Sequence, residues 1–367
     1  MKKPSNYTYF LYLVILAGLF FIGREIIESA YGLPYDSTTI FCVACFAISF
    51  VVTALLTEIG HLIGAKICNY EVVSVNLFGV SIINVGGKIS FRSEPFNGFT
   101  GETKVKAKEG SKSPRFFFLS GFLLVLIINV ALILVAFLVK DFSENYPVLY
   151  NGFLLFATLS MLISLYSIIP CNVDSVSDGM LLRDIKKEDV ELFNRLCDIE
   201  SKVVLGEKLV EVEPTNVVKP ALSRLNSYAF ISAIYSGDYT KAKEINDLLF
   251  EKSECVAPSD YNAVIPNRLL VLAKTVSKDE FLQTYNSLPT SNRSFINKLE
   301  TIETCRVYLV ISGLILENEV GVNNCLRKYK ALIEKIKTQG IKEQELELAN
   351  SYLKEIQEAH TDWNVSW

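Results

Sequence analysis

The sequence is poor in histidine, tryptophan and methionine, with two, two and three residues in 367. Charge is also scarce in the first half: residues 1 to 180 hold 12 Lys/Arg and 12 Asp/Glu, against 24 and 28 in the remainder. One soluble core would not distribute charge this way, whereas a membrane domain joined to a cytosolic one would. Domains at 1–185 and 186–367 are therefore expected. A net charge of −4 leaves no basic field to neutralise a phosphate backbone, so nucleic acid is excluded as a partner. The eight cysteines lack the paired CxxC spacing of a structural zinc site and read as free thiols. Cys42 and Cys45 form one CxxC inside an apolar run, where helix packing competes with redox chemistry.

What the first half does contain is long apolar runs. Four stretches, 8–23, 39–65, 115–139 and 149–169, have the length and near absence of charge needed to cross a bilayer core of about 30 Å. The first follows Met-Lys-Lys but lacks an Ala-x-Ala-like cleavage site, so it reads as a retained span. The basic residues gather before the first span and between Lys66 and Arg115, while 24–38 and 140–148 carry one Lys/Arg each. This bias places both termini in the cytosol.

Ionisable groups within a span are costly, which makes them functional candidates. The second span holds Thr57-Glu58-Ile59-Gly60-His61. Residues three and four apart share one helix face, so 57, 58 and 61 project together, as the two ligands and general base of an HExxH helix do. Spans two and four both run from outside to inside, so His61 and Asp178 fall at the same membrane face. The bland alternative is a Glu–His pair that hydrogen-bonds between helices, with Asp178-Gly179 an ordinary helix-ending turn.

The run Leu55 to Lys66, together with Ser167-Ile168-Ile169-Pro170 and Asp178-Gly179, resembles the site-2 protease family of intramembrane zinc metalloproteases over roughly residues 8–185. The resemblance implies a polytopic helical membrane domain. It also implies zinc held by His61 and Asp178, Glu58 as the base that activates a zinc-bound water, and a membrane-anchored protein or peptide as substrate. Three positions depart from the pattern. Thr57 stands where the family has its first histidine, Gly121-Phe122 where a Gly-Pro begins the middle span, and Ser167 where an Asn-x-x-Pro begins. A catalytic zinc needs three protein ligands, and a threonine hydroxyl is a poor one. Cys171 is the soft ligand that could complete the set. Two functions follow: a zinc endopeptidase, or a non-catalytic relative that binds a membrane segment. A solute transporter fits less well, because only the motif regions place ionisable groups in the spans.

After the motif helix, 72–76, 80–85 and 88–92 read as strands around Gly86-Gly87, a short β hairpin. It offers either an edge for a substrate strand or a surface lying on lipid headgroups. The second half reads as helical hairpins of a tetratricopeptide-like kind, without strict periodicity. The clearest is 224–252, and further helices are expected at 266–275, 277–287, 294–316, 320–337 and 342–360. Such stacks bind a protein partner through one face, or form a compact helical domain with none.

Overall fold

The computed structural model describes residues 35–85, 87–93, 101–139, 142–171, 176–256 and 258–365, with residues 13, 14, 17, 18, 20, 21, 23–25 and 28. The chain is mainly helical, carries one four-stranded antiparallel sheet, and divides into two compact units between Ser201 and Lys202. That division falls later than residue 185, inside helix α5 (Val190–Leu205).

In the first unit, helices α1 (Tyr35–Ile67), α2 (Arg115–Leu138) and α3 (Pro147–Ile168) pack against one another. Within them Ser37–Ile67, Arg115–Leu138 and Leu149–Ile168 are long and apolar enough to cross a membrane. The expected first span at 8–23 lies largely outside the described residues. The three-helix group is apolar outside and polar inside. Ile40, Ile48, Ile63, Ile127 and Phe137 are exposed, whereas Thr53, Thr57, Glu58, His61, Asn129 and Ser160 are buried. Water would not tolerate that arrangement over such an area, but hydrocarbon favours it.

The sheet exceeds the expected hairpin. Strands β1 (Tyr70–Leu77), β2 (Val80–Val85), β3 (Lys88–Ser93) and β4 (Glu102–Ala107) take the order β3-β2-β1-β4. The β1–β2 turn is Phe78-Gly79, with φ of 50° and 78°, the left-handed pair a two-residue hairpin turn requires. The fourth strand is hard to read in sequence because Glu102-Thr-Lys-Val-Lys-Ala carries little apolar signal. It is held by backbone pairing of Tyr70–Asn76 with Glu102–Ala107 and by burial of Val105. Phe78 rests against Phe50, ring centroids 6.0 Å apart, so the β1–β2 turn lies beside the middle of α1.

Helix α4 (Asp178–Asp184) follows α3 after a short connection, and α5 closes the first unit. The second unit contains α6 (Ser223–Tyr235), α7 (Tyr239–Glu251), α8 (Pro258–Thr275), α9 (Lys278–Ser287), α10 (Thr290–Asn297), α11 (Ile302–Val310), α12 (Glu319–Glu334) and α13 (Gln339–Ala359). Gly237 (φ 76°) turns α6 into α7, and Asp238 caps α7 by accepting from Lys241 N at 2.9 Å. Two expectations change here. The stretch 294–316 is two helices, because Leu299 adopts φ 52° and breaks it before the Thr301 cap. Helix α8 begins eight residues ahead of Pro266, which it accommodates in its interior.

At the centre of this unit Arg306 and Glu345, 2 % and 1 % exposed, form an ion pair. Tyr235 and Tyr329 each donate to Glu345 at 2.6 Å, and Arg306 donates to Asn267 at 3.0 Å. Five helices thus contribute one polar group each to a single buried cluster, which satisfies the charges that burial would otherwise make costly.

Candidate functional site

The site forms where α1 and α2 come closest. A Cβ at Gly60 would lie 2.5 Å from Ser120 O, and one at Gly64 would lie 2.9 Å from Phe117 Cα. Two glycines four apart let the backbones approach in this way. That Gly-x-x-x-Gly spacing, Gly60-His-Leu-Ile-Gly64, is the signal by which sequence reading could have found the contact. Gly121 completes it from the other helix: a Cβ there would lie 2.8 Å from Thr57 Cγ2 and 2.9 Å from His61 Nε2. Glycine at position 121 thus makes room for the imidazole of His61.

His61 is 6 % exposed, and both ring nitrogens are engaged. Nδ1 lies 3.0 Å from Phe117 O, an acceptor, so Nδ1 carries the proton and donates. Nε2 then faces Asp178 Oδ2 at 3.3 Å. The ring also sits against Phe117, which stacks on Tyr70. Tyr70 in turn donates to Asn194 of α5 at 2.6 Å, and burial pushes its phenol up from its ordinary value.

Asp178 reaches His61 because of its two neighbours. Ser177 caps α4, accepting from Met180 N at 3.2 Å and Cys171 N at 3.1 Å while donating to Ile169 O at 2.7 Å. Gly179 lies so close to the end of α3 that a Cβ would be 1.8 Å from Ile168 O. The Asp-Gly pair thus has a steric reason: only glycine permits the approach that sets residue 178 against α1 and α2.

Glu58 is 3 % exposed and accepts a hydrogen bond from Thr103 of β4. Gly101, just before β4, has φ 155°, and a Cβ there would lie 2.8 Å from Glu58 Oε1. The carboxylate is thereby placed at the start of the unforeseen strand. Thr57, 2 % exposed, donates to Thr53 O at 2.8 Å within its own helix. Cys171 is buried next to Ser177, and burial pushes its thiol up, which disfavours the thiolate that binds metals.

Whether this set fits a zinc ion can be tested on its own geometry. Two ligands at a tetrahedral ion, each about 2.0–2.1 Å from it, are about 3.3–3.4 Å apart. The 3.3 Å between His61 Nε2 and Asp178 Oδ2 matches that edge, and the Phe117 carbonyl orients the imidazole as outer partners of metal ligands do. It also matches a direct His–Asp pair. The third ligand decides. Among the described residues no group of three or more His, Cys, Asp and Glu is arranged to hold a metal, and the Thr57 hydroxyl spends its proton on its own helix. The donor set does not fit a catalytic zinc.

No protein-family model, curated protein or solved structure matches the chain.

Proposed function

We propose that this chain is a site-2-protease-like integral membrane protein that binds a membrane-anchored protein or peptide without hydrolysing it. In this reading the His61–Asp178 pair takes the place of the metal, and the observation that carries it is the 3.3 Å contact beside a Thr57 hydroxyl turned to Thr53 O. The pair ties the end of α1 to the start of α4 as bound zinc would, so the fold survives loss of the third ligand. Four spans with both termini in the cytosol agree with the distribution of Lys and Arg. The bound polypeptide would add as an extended strand beside the first half of β4, where Thr103 meets Glu58. The helical unit would recruit a further protein.

A second reading, zinc-dependent peptide hydrolysis with Glu58 as base, is favoured by the ligand-like spacing of His61 and Asp178 and by the retained buried Glu58. Zinc content of the purified full-length protein separates the two. The binding reading expects no stoichiometric zinc in the native chain and one zinc per chain in Thr57→His, where a second imidazole restores the third ligand. Stoichiometric zinc in the native chain, lost in Asp178→Ala, would establish the hydrolase reading instead.

A further inference from the structure

Between α5 and α6 the chain forms a strap, residues 207–219, without helix or strand. Irregular segments usually run over the surface, yet Leu209, Val212 and Thr215 are only 4 %, 5 % and 9 % exposed. What holds them is unusual in kind. Gln344 of α13 accepts from Leu209 N at 2.7 Å and donates to Leu209 O at 2.9 Å. Asn226 of α6 accepts from Thr215 N at 2.8 Å and donates to Thr215 O at 2.9 Å. Ser232, also on α6, accepts from Val212 N at 3.2 Å. All five bonds are to strap backbone, so the helices read a polypeptide main chain and leave the choice of side chain to the three buried positions.

The spacing agrees with an elongated ligand lying along a helix. From Val212 to Thr215 a nearly extended chain advances about 10 Å, at about 3.3 Å per residue. From Ser232 to Asn226 the helix retreats six residues, about 9 Å. The strap therefore runs antiparallel to α6 in matching register. Its entry is arranged by Gly340, where a Cβ would lie 2.3 Å from Glu207 C. Around the buried positions Val210, Glu211, Glu213 and Asn216 face outward, and Lys208 and Glu213 make ion pairs with Glu347 and Lys241 at 2.7 and 3.0 Å.

We propose that the groove between α6 and α13 is a peptide-binding site whose resident ligand is the chain's own strap. It accepts in trans a peptide that follows the strap's course, left-handed at the position of Glu211 (φ 43°), with apolar or β-branched side chains at every third position and acidic residues between them. With the strap in place, Asn226 and Gln344 spend their amides on its backbone, so another main chain must displace it to reach them. The tethered strap competes at an effective concentration on the order of millimolar, which makes the native chain a weak receptor until the strap is loosened. This inference concerns the helical unit alone and stands apart from the metal question at His61.

The test uses full-length protein in detergent micelles and a fluorescein-labelled peptide with the sequence of residues 207–219, read by anisotropy. Leu209→Asp with Val212→Asp in the strap should tighten peptide binding at least about tenfold relative to the native chain. Adding Asn226→Ala and Gln344→Ala should abolish it, and a peptide carrying Asp at the two anchor positions should not bind. Absence of saturable binding to the folded strap variant, or binding that persists without Asn226 and Gln344, would overturn the proposal. Should the strap variant fail to fold, hydrogen exchange on the native chain decides. The Leu209, Val212 and Thr215 amides should exchange faster than those of α6 and α13 and slow down with excess peptide. Equal protection with no response to peptide would overturn it as well.

Discussion

Gly60→Ala probes the closest approach of α1 and α2. The new Cβ would begin 2.5 Å from Ser120 O and 2.7 Å from Gly121 Cα, both backbone atoms that no rotamer change can move. Restoring ordinary contact, at 3.4–4 Å, parts the two backbones by about 1 Å. A radial gap of that size forfeits about a quarter to a half of each dispersion contact, and overpacking of this sort costs about 1–3 kcal/mol. Replacing helical glycine by alanine returns up to about 1 kcal/mol. The expected net loss is about 1–2 kcal/mol, or about five- to thirtyfold in the folding equilibrium. Unfolding of the purified protein in mixed micelles by added SDS measures it. Gly18→Ala is the control, since nothing lies within 4 Å of a Cβ there. Gly18→Ala should gain up to about 1 kcal/mol, and stability of Gly60→Ala equal to or above that of Gly18→Ala would refute the account of the α1–α2 contact.

Arg306→Met should destabilise the helical unit by about 3–5 kcal/mol, because Glu345 stays charged and buried without its cation. Adding Glu345→Gln should recover at least about 1 kcal/mol of that loss in urea unfolding, and strict additivity would show that charge is not the cause. Lys274 gives a pH dependence: burial depresses its ammonium below the ordinary lysine value, against the opposing pull of Glu355. The unfolded chain then binds more protons than the folded one as pH rises toward about 10.4, so stability should climb with alkalinity in that window. Lys274→Met should remove this slope and be neutral to stabilising by up to about 1 kcal/mol at neutral pH. The difference between the two proteins over about pH 7–9.5 is the quantity to measure, below the range in which tyrosines ionise.

The sequence carried the three described apolar helices to within a few residues of their ends, because length and charge depletion are read directly from composition. The helical interval of three put residues 58 and 61 on one face, and the resemblance to the site-2 protease family added Asp178, which lies 3.3 Å from His61. Other features depend on contacts between distant residues and leave little local trace. Strand β4 is polar in alternate positions and recruited by β1, and Gly101 and Thr103 gain meaning only once Glu58 is seen against them. The break at Leu299 hides in an otherwise helical pattern. Nothing in the residues of the strap reveals that two side-chain amides some 11 and 135 residues away clasp its backbone.

Thr57 lies in a row of buried polar residues on α1, which an apolar helix group must bond internally. Ser49, Thr53, Thr57 and His61 recur every fourth residue and so form one buried stripe on α1. Along that stripe Thr53 donates to Ser160 of α3 at 2.7 Å, and Asn129 of α2 donates to the same hydroxyl at 3.3 Å. Thr57 closes on Thr53 O, and His61 closes on Phe117 and Asp178. Each helix therefore bonds to another through neutral groups worth about 0.6 kcal/mol apiece in such settings, with the His–Asp pair at the end of the row. A threonine at position 57 adds a neutral hydroxyl to this row, bonded within its own helix. On that argument Thr57 belongs to the membrane core rather than to a damaged active site. Thr57→Val should then lower stability by no more than about 1 kcal/mol, because its hydroxyl bonds only within α1, while Thr53→Val should cost more by cutting the link to Ser160. SDS unfolding of the two variants in parallel reads the order, and a larger loss for Thr57→Val would return the residue to the site.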